Sequence, residues 1–251
     1  MRIIIKKTTI ALSLLLSFGA SASNLYWNEP EALTRLATAE YNDDFAELSN
    51  YHQTQENKLF CGAATAATIL NSLFTGEAPL DESLVKASER EYLPGGDWSP
   101  VFHLYTQNTV LAPKVKTRMQ ILGEPYGGHD FNDYGLQLHQ FAALLESHGA
   151  KVTVHELNEV KSVEVEKKYM LAALADENKF LAINYDRKVL NQKGSGHISP
   201  VSAYDEDTDS FLVMDVTTYK HMWHWVDAEV LIKAMNTKDI DNYRGYVVVG
   251  K

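Results

Sequence analysis

Residues 55–73 read QENKLFCGAATAATILNSL, and the architecture can be worked out from them. From Gly62 to Phe74 the chain is rich in Ala, Leu and Ile at helical spacing, which predicts a helix entered directly after Cys61. Backbone N–H groups at a helix N-terminus favour an anion, so the Cys61 thiol should ionise more easily than a free thiol. The segment therefore predicts both a helix and a candidate nucleophile next to its first turn.

Outward from this helix the chain changes from helical to strand patterns. Two more helices are predicted over 136–148 and 167–175, a short helix over 81–91, and a loop with short helical pieces over 97–134. Helices followed by mostly antiparallel strands predict an α+β fold, with a helical N-terminal lobe, an antiparallel sheet in the C-terminal lobe and the active site in the cleft. The predicted strands are Lys151–Leu157, Phe180–Tyr185, His197–Tyr204, Phe211–Val216, Met222–Val226 and Tyr246–Val249.

Two residues of the second half are placed to serve the thiol. His197 begins a predicted strand and Asp215 ends the next, with the polar turn Asp205–Asp209 between them. Measured from the middle of that turn, His197 lies 10 residues before it and Asp215 lies 8 after it, so the two come close to opposing each other. A cysteine nucleophile needs such a carboxylate-held imidazole, and the Gln55 amide with the Cys61 N–H could form an oxyanion hole. The chain order Gln, Cys, His, Asp is that of papain-like enzymes.

Each of these residues alone also has an ordinary structural interpretation. A lone Cys before an Ala-rich helix is usually a small buried apolar side chain, and a lone His on a strand is usually a satisfied structural residue. Three ordinary residues would rarely fall at this spacing by accident. The joint arrangement therefore favours catalysis.

The composition limits the function classes. The chain has 251 residues, is 45% hydrophobic and carries a formal net charge of −10, which fits a globular protein and argues against a nucleic-acid partner. Its single cysteine excludes an intrachain disulfide and a multi-cysteine zinc site. His221 and His224 have H-x-x-H spacing, but on a strand they would point to opposite faces, so no metal site is expected there.

The first 22 residues have the pattern of a secretory signal peptide. A basic start at residues 2–7 precedes an apolar stretch over 10–20, and Ala20-Ser21-Ala22 offers small residues for cleavage. The rest, residues 23–251, is expected to be a single catalytic domain that is exported, with the periplasm as its compartment. No other segment is apolar for long enough to span a bilayer, so no membrane attachment is expected after cleavage.

On these motifs the chain resembles the phytochelatin synthase family in its short bacterial form, within the papain-like cysteine peptidase clan. Residues 55–73 resemble the family's catalytic segment, and GLQLHQFAALLESHG at 135–149 is similar to the segment that follows. The longest match, 181–249, contains NYDRKVLNQKGSGHISPVSAYDEDTDSFLVMDV, YKHMWHWV, AMNTKD and RGYVVV. The GHISP, AYD and MNT-plus-RG blocks are specific, because a general papain-like sequence would not contain them.

The resemblance implies a papain-like two-lobed fold and a thiol enzyme that attacks the Cys–Gly peptide bond of glutathione. It assigns Cys61 as the nucleophile, His197 as the base, Asp215 as the partner of that base and Gln55 as the oxyanion donor. Glycine leaves and a γ-glutamylcysteinyl thioester remains on Cys61. Water then gives γ-glutamylcysteine, or a second glutathione takes the acyl group and a phytochelatin is formed.

The resemblance also implies where substrates bind. Asn184, Asp239 and Arg244 are expected to bind the γ-glutamyl end, whose α-carboxylate and α-ammonium suit one cation and one anion at fixed separation. Gly196 is also expected to be a substrate-binding residue. Arg187 is expected to help bind the second glutathione. No cofactor bound by the protein is expected, and cadmium or zinc would act as a thiolate complex with glutathione. The partners implied are glutathione, its metal complexes and a second copy of the chain in a homodimer.

Two features depart from the plant members of the family. Those members carry a Cys-rich C-terminal domain, whereas this chain stops at Lys251 directly after the catalytic block, so hydrolysis is expected to outrank chain extension. The match is weaker over 91–130, which leaves the acceptor site open, and export is unlike the cytosolic plant enzymes.

Two other functions stay open at the level of sequence. A papain-type endopeptidase of exported proteins would cleave peptides that have no γ-glutamyl group. A non-catalytic binder would sequester a complex of glutathione and metal without turnover, and the intact set of Gln, Cys, His and Asp argues against this one.

Overall fold

The protein is described by a computed structural model over residues 24–78, 88, 92, 103–125, 133–158 and 162–251. The helices within these ranges are α1 (Pro30–Thr38), α2 (Asp43–Tyr51), α3 (Cys61–Leu73), α4 (Arg118–Ile121), α5 (Leu138–Glu146), α6 (Val163–Leu174) and α7 (Ala228–Met235). The strands are β1 (Leu25–Tyr26), β2 (Lys151–Glu156), β3 (Lys179–Asp186), β4 (Gly196–Asp205), β5 (Ser210–Val213), β6 (His224–Asp227) and β7 (Gly245–Gly250). The fold is α+β, as predicted.

The strands of the described ranges form one antiparallel sheet in the order β1-β6-β5-β4-β3-β7-β2. The central strands β3 and β4 are buried along almost their whole length. Their register aligns Tyr185 with His197 and Asn184 with Ile198. The last residues of β3 and the first residues of β4 therefore lie at the same end of the sheet.

Both faces of the sheet are covered by helices. Successive side chains of a strand point to opposite faces, and on the central strands both sets are apolar and need to be buried. On β3, Phe180 and Ala182 pack into a core with α3 and α5. Leu181 and Ile183 pack into a second core with α6 and α7 on the other face. The alternation along the central strands thus divides the helices between the two faces: α3 and α5 pack on one face, and α6 and α7 pack on the other.

Small residues let the first turn of α3 lie close to the sheet. A Cβ atom on Gly62 would lie 2.9 Å from Leu136 Cδ1 and 3.4 Å from Ile198 Cδ1. The Thr65 hydroxyl donates to the Ile198 carbonyl at 3.1 Å, which ties the helix to β4. Because of this close approach, Cys61 at the start of α3 sits beside the first residues of β4.

Several boundaries differ from the sequence prediction. Helix α6 begins at Val163, within the charged run before residue 167, and β5 ends at Val213 instead of Val216. The sequence analysis did not predict α1, α2, α7 or the short strand β1. The predicted signal peptide, and the predicted helix at 81–91 apart from Ser88, lie outside the described residues. Along the described part of the chain, no helix has the length and apolarity needed to cross a membrane.

Candidate active site

A cysteine and a histidine meet where α3 abuts β4. Cys61 is the first residue of α3, and the four leading N–H groups of a helix have no partner within it. His197 is the second residue of β4 and is 4% exposed. The imidazole of His197 forms a hydrogen bond with the Cys61 thiol, and the Ile198 backbone N–H also donates to the sulfur. The thiol therefore has an imidazole and a backbone donor next to it.

The β4–β5 hairpin brings a carboxylate to the other side of this imidazole. The register pairs Val201 with Val213, and the Met214 N–H donates to the Pro200 carbonyl at 2.9 Å, so the pairing continues beyond β5. The His197 Nε2 atom donates to Asp215 Oδ1 at 3.0 Å. The hydrogen bond that the hairpin spacing predicted is present, and it leaves Nδ1 of the ring for the thiol.

The electrostatics of the site favour a thiolate and imidazolium pair. Burial raises the pKa of the Cys61 thiol, but the charge and hydrogen bond of His197 and the charge of Arg187 outweigh it, so the net pKa lies below its ordinary value. Burial lowers the pKa of His197, while Asp215 and Cys61 raise it, and the net pKa is above the ordinary value. These opposite shifts are those of an activated cysteine nucleophile.

Asp215 is held from behind by an arginine. Its carboxylate meets Nη1 of Arg187 at 2.6 Å and Nη2 at 2.9 Å, and the two side chains are almost completely buried. The Thr217 backbone N–H also donates to Asp215 at 2.7 Å. Burial raises the pKa of Asp215, but His197 and Arg187 hold it well below its usual range. The carboxylate therefore stays ionised beside the imidazole.

A chain of hydrogen bonds continues from this arginine into the interior. Arg187 Nη1 donates to Gln192 Oε1 at 2.7 Å, and Gln192 Nε2 pairs with His224 Nε2 at 2.8 Å. His224 Nδ1 lies 2.9 Å from the Met222 carbonyl, which can only accept, so Nδ1 carries the proton and Nε2 accepts from Gln192. Burial lowers the pKa of His224 to about 4, so this imidazole stays neutral.

Arg187, which was expected to help bind a second glutathione, lies in the interior of the structure. Arg187 is 3% exposed and is not among the described residues that line the cavity at Cys61. Four of its N–H groups are used by Asp215, Gln192 and Thr217. Its guanidinium is therefore committed to the carboxylate behind the imidazole.

A cavity of about 300 Å³ opens at the thiol. One wall is the loop before α3 with Cys61, a second is 134–136, and the others come from the ends of β3 and β4 and from the segment before β7. The structure brings together in it six of the residues selected from the sequence: Cys61, Asn184, Gly196, His197, Asp239 and Arg244.

An ion pair in this cavity has spare donors. Arg244 Nη2 donates to Asp239 Oδ1 at 2.9 Å, and Asn184 Nδ2 donates to the other oxygen of Asp239 at 3.4 Å. Arg244 Nη1 donates to the Lys238 carbonyl at 2.5 Å, while its Nε atom is buried without a hydrogen-bond partner. A Cβ atom on Gly196 would lie 2.8 Å from Nη2, so the glycine makes room for the guanidinium.

Gln55 lies close to Cys61 in the chain, but its side-chain amide contacts Asn57 and Tyr219 and does not line the cavity. Gln55 is 3% exposed, and its Nε2 atom donates to the Asn57 carbonyl at 2.5 Å and to the Tyr219 hydroxyl at 3.2 Å. Its Oε1 atom is buried without a partner. Gln55 is not among the described residues that line the cavity, so its oxyanion role stays a prediction.

The two histidines with H-x-x-H spacing are used separately. His221 Nε2 lies 3.1 Å from the Lys193 carbonyl, and His224 belongs to the buried chain behind Arg187. Among the described residues there is no group of three side chains that could hold a metal ion. The sequence analysis weighed His224 only as a metal ligand and did not consider Gln192, although both belong to specific blocks of the sequence, YKHMWHWV and NYDRKVLNQKG.

A cysteine at a helix start, an imidazole against it and an ionised carboxylate behind that imidazole are the arrangement of thiol enzymes that transfer acyl groups. A sequence model of phytochelatin synthase matches residues 21–246. The chain belongs to the phytochelatin synthase family.

Curated relatives include glutathione gamma-glutamylcysteinyltransferase 3 of Lotus japonicus, 28% identical over 211 residues, which cover 83% of this chain and 38% of that protein. Glutathione gamma-glutamylcysteinyltransferase 2 of Arabidopsis thaliana is 26% identical, with 83% and 40% covered. The glutathione gamma-glutamylcysteinyltransferase of Schizosaccharomyces pombe is 27% identical, with 82% and 43% covered. The chain spans about two fifths of the length of these relatives.

Proposed function

We propose that this protein is a thiol enzyme that cleaves the Cys–Gly peptide bond of glutathione through a thioester on Cys61. The observation that carries the proposal is the cavity in which the thiol and His197 face the Arg244–Asp239 pair. Family membership and the names of the relatives, which are glutathione gamma-glutamylcysteinyltransferases, support glutathione as the substrate.

The γ-glutamyl end of glutathione suits the paired residues of the cavity. Its α-carboxylate would accept from the free donors of Arg244, including Nε, and its α-ammonium would donate to Asp239. Asn184 holds Asp239 in place through its amide, and Gly196 leaves space for the guanidinium. One cation and one anion at 2.9 Å thus match the two charges on one α-carbon.

The chemistry follows from the three residues at the thiol. The Cys61 sulfur attacks the carbonyl carbon of the cysteinyl residue while its proton rests on His197. The tetrahedral oxyanion is stabilised by the Cys61 N–H, and we propose Gln55 as a second donor. The peptide C–N bond breaks, His197 gives its proton to the amine of the departing glycine, and a γ-glutamylcysteinyl thioester remains. Asp215 stabilises the imidazolium throughout.

The thioester has two possible acceptors. Water gives γ-glutamylcysteine, and the amine of a second glutathione gives a phytochelatin. A cavity of about 300 Å³ is at the lower end of the range for ligand sites, which suits one tripeptide better than two. We therefore rank hydrolysis first and transfer second. Cadmium or zinc would enter as a glutathione thiolate complex, that is, as part of the substrate.

Four further expectations belong to this proposal. The layer of helices around α3 and the sheet would correspond to the two lobes of papain-like enzymes, since the cavity is lined from both. Export to the periplasm would follow from the basic and apolar start of the sequence. The binding of a metal–glutathione complex and the formation of a homodimer rest on the family alone.

The experiment is incubation of the purified protein with glutathione, with and without cadmium, followed by mass spectrometry of glycine and thiol peptides. We expect free glycine and γ-glutamylcysteine, and a fall of at least about a thousandfold in glycine release for Cys61→Ser, with an unchanged melting temperature. Turnover that survives this substitution would overturn the mechanism. Retention of glutathione without any product would indicate a binding protein, and cleavage of peptides without a γ-glutamyl group would indicate a general peptidase.

A further inference from the structure

The cavity at Cys61 contains one cation more than the γ-glutamyl end of glutathione requires. Apart from His197, the charged side chains among its described lining residues are Lys58, Asp239 and Arg244. Arg244 and Asp239 pair with each other at 2.9 Å. None of the ion pairs between described residues involves Lys58, and this residue is exposed. Its ammonium group is therefore available to a ligand in the cavity.

A fixed turn carries Lys58 to the cavity. The Asn57 side chain accepts from the Leu59 N–H at 2.9 Å, and the Asn57 carbonyl accepts from the Phe60 N–H at 3.3 Å. The same carbonyl accepts from the Gln55 amide at 2.5 Å, and Phe60 is fully buried. The backbone on both sides of Lys58 is thus anchored, while its side chain extends from the wall that also carries the nucleophile.

The two cations lie on different walls of the cavity. Lys58 is three residues before Cys61, on the loop that enters α3. Arg244 directly precedes β7 and is packed against Gly196 at the start of β4. A ligand with a carboxylate at each end can therefore reach one cation from each wall.

Glutathione has this distribution of charge. It has an α-carboxylate and an α-ammonium at its γ-glutamyl end and a second carboxylate on its glycine. Two cations and one anion in the cavity match these two anionic groups and one cationic group one to one. We propose that Lys58 binds the glycine carboxylate of the substrate and makes the enzyme selective for peptides that end in a free carboxylate at this position. This inference rests on the proposed function.

The contact would act only before the first bond is broken. Lys58 would hold the glycine while Cys61 attacks the preceding carbonyl, and the contact is lost when glycine departs. Lys58 should therefore affect formation of the thioester, and it should not affect the reaction of the thioester with water.

The test compares two substrates at low concentration without added metal: glutathione and its glycinamide analogue, in which the terminal carboxylate is replaced by a neutral amide. Release of glycine or glycinamide is measured by mass spectrometry and expressed as kcat/KM. We expect the protein to prefer glutathione by roughly tenfold or more, the usual effect of one hydrogen bond to a charged group. In Lys58→Met this preference should fall to about one, because activity on glutathione drops and activity on the amide does not.

Two variants control for other effects. Lys58→Arg keeps the positive charge and should keep the preference. Lys193→Met removes an exposed lysine that is not among the described lining residues, and it should leave the preference unchanged. If Lys58→Met lowers activity on both substrates equally, or if Lys193→Met abolishes the preference as completely, the assignment of Lys58 is wrong.

The outcomes separate this inference from the proposed function. Release of glycine that depends on Cys61 but shows no preference between acid and amide would remove the role of Lys58 and leave the thiol mechanism intact. Absence of glycine release from the unsubstituted protein would remove both. A normal melting temperature for Lys58→Met excludes misfolding as the cause of any loss.

Discussion

The site contains two arginine–aspartate pairs, and their surroundings differ. Arg187 meets Asp215 with both terminal nitrogens, at 2.6 and 2.9 Å, in the interior behind the imidazole. Arg244 meets Asp239 with one nitrogen at 2.9 Å and lines the cavity. Four donors of the first arginine are used by protein acceptors, whereas Nε of the second has none. Four of the five N–H donors of Arg187 are held by protein acceptors, which suits a residue that holds another in place. The unused Nε of Arg244 at the cavity suits contact with a ligand.

One turn touches both pairs. A Cβ atom on Gly194 would lie 2.9 Å from Arg187 Cδ, and a Cβ atom on Gly196 would lie 2.8 Å from Arg244 Nη2. The two glycines flank Ser195 directly before His197. Substitutions within three residues of each other can therefore disturb either pair separately, which makes the difference between the pairs testable.

The largest effect is expected from Arg187→Met. It leaves the Asp215 carboxylate buried without its main partner, and breaking a buried pair in this way typically costs about 3–5 kcal/mol of folding free energy. Urea unfolding followed by circular dichroism would measure it. A change below about 1 kcal/mol would show that the buried pair does not have the structural role assigned to it.

Arg244→Met should act on the substrate instead of the fold. Loss of the charge-assisted hydrogen bonds to the α-carboxylate should lower kcat/KM for glutathione by about a hundredfold, with only a small change in the free energy of unfolding. Glycine release over a range of glutathione concentrations measures the first quantity. If the loss appeared mainly as instability, the two pairs would not differ as described.

Replacing each of the two glycines by alanine should also separate substrate binding from stability, with smaller effects than the arginine substitutions. Gly196→Ala would displace the Arg244 guanidinium and should raise KM by roughly tenfold with little effect on unfolding. Gly194 has φ +131°, which only glycine adopts readily, so Gly194→Ala should destabilise the fold by about 1–3 kcal/mol. KM for glutathione and the melting temperature are measured for both variants. If both variants changed these two quantities by the same amounts, the different roles assigned to the two pairs would be wrong.

The smallest effect is a dependence of stability on pH. The pKa of Asp215 is lowered in the folded state, so its contribution is present above the unfolded value of about 4 and is lost as pH falls through the folded value. The difference in unfolding free energy between the unsubstituted protein and Arg187→Met should therefore narrow below about pH 4. Urea unfolding between pH 7 and pH 3 checks this, and a constant difference would be inconsistent with the pairing.

The local parts of the site could be predicted from the sequence. Small residues after Cys61 indicated a tightly packed helix, and the hairpin spacing indicated that His197 and Asp215 meet, because both signals depend on residues close in the chain. The position of Arg187 could not be predicted in this way. Its partner Asp215 is 28 residues away and beyond an intervening strand, so the pairing depends on the order β3-β4-β5, which no local pattern contains.

The difference between local signals and tertiary packing also explains why the sequence analysis did not predict α1 and α7. Signals for α1 and α7 were present, since Pro30 occupies the first turn of α1 and Asp227 caps α7 by accepting from the Val230 N–H at 3.0 Å. Helix α1 buries only Ala32, so it shows no clear apolar face in the sequence. Helix α7 is rich in apolar residues but only eight residues long, and so short an apolar run does not distinguish a helix from a strand. The burial of either helix depends on tertiary packing.

The hydrogen bonds behind Asp215 also limit where protons can go. A guanidinium keeps its protons at every pH at which a protein is folded, so Arg187 cannot pass one on. In the proposed reaction, the proton that leaves the Cys61 thiol moves to His197 and from there to the departing glycine, and Arg187 cannot carry it further. The guanidinium behind the carboxylate thus blocks proton transfer through Arg187, and the acid–base steps proposed for a turnover involve the Cys61 sulfur and the His197 imidazole.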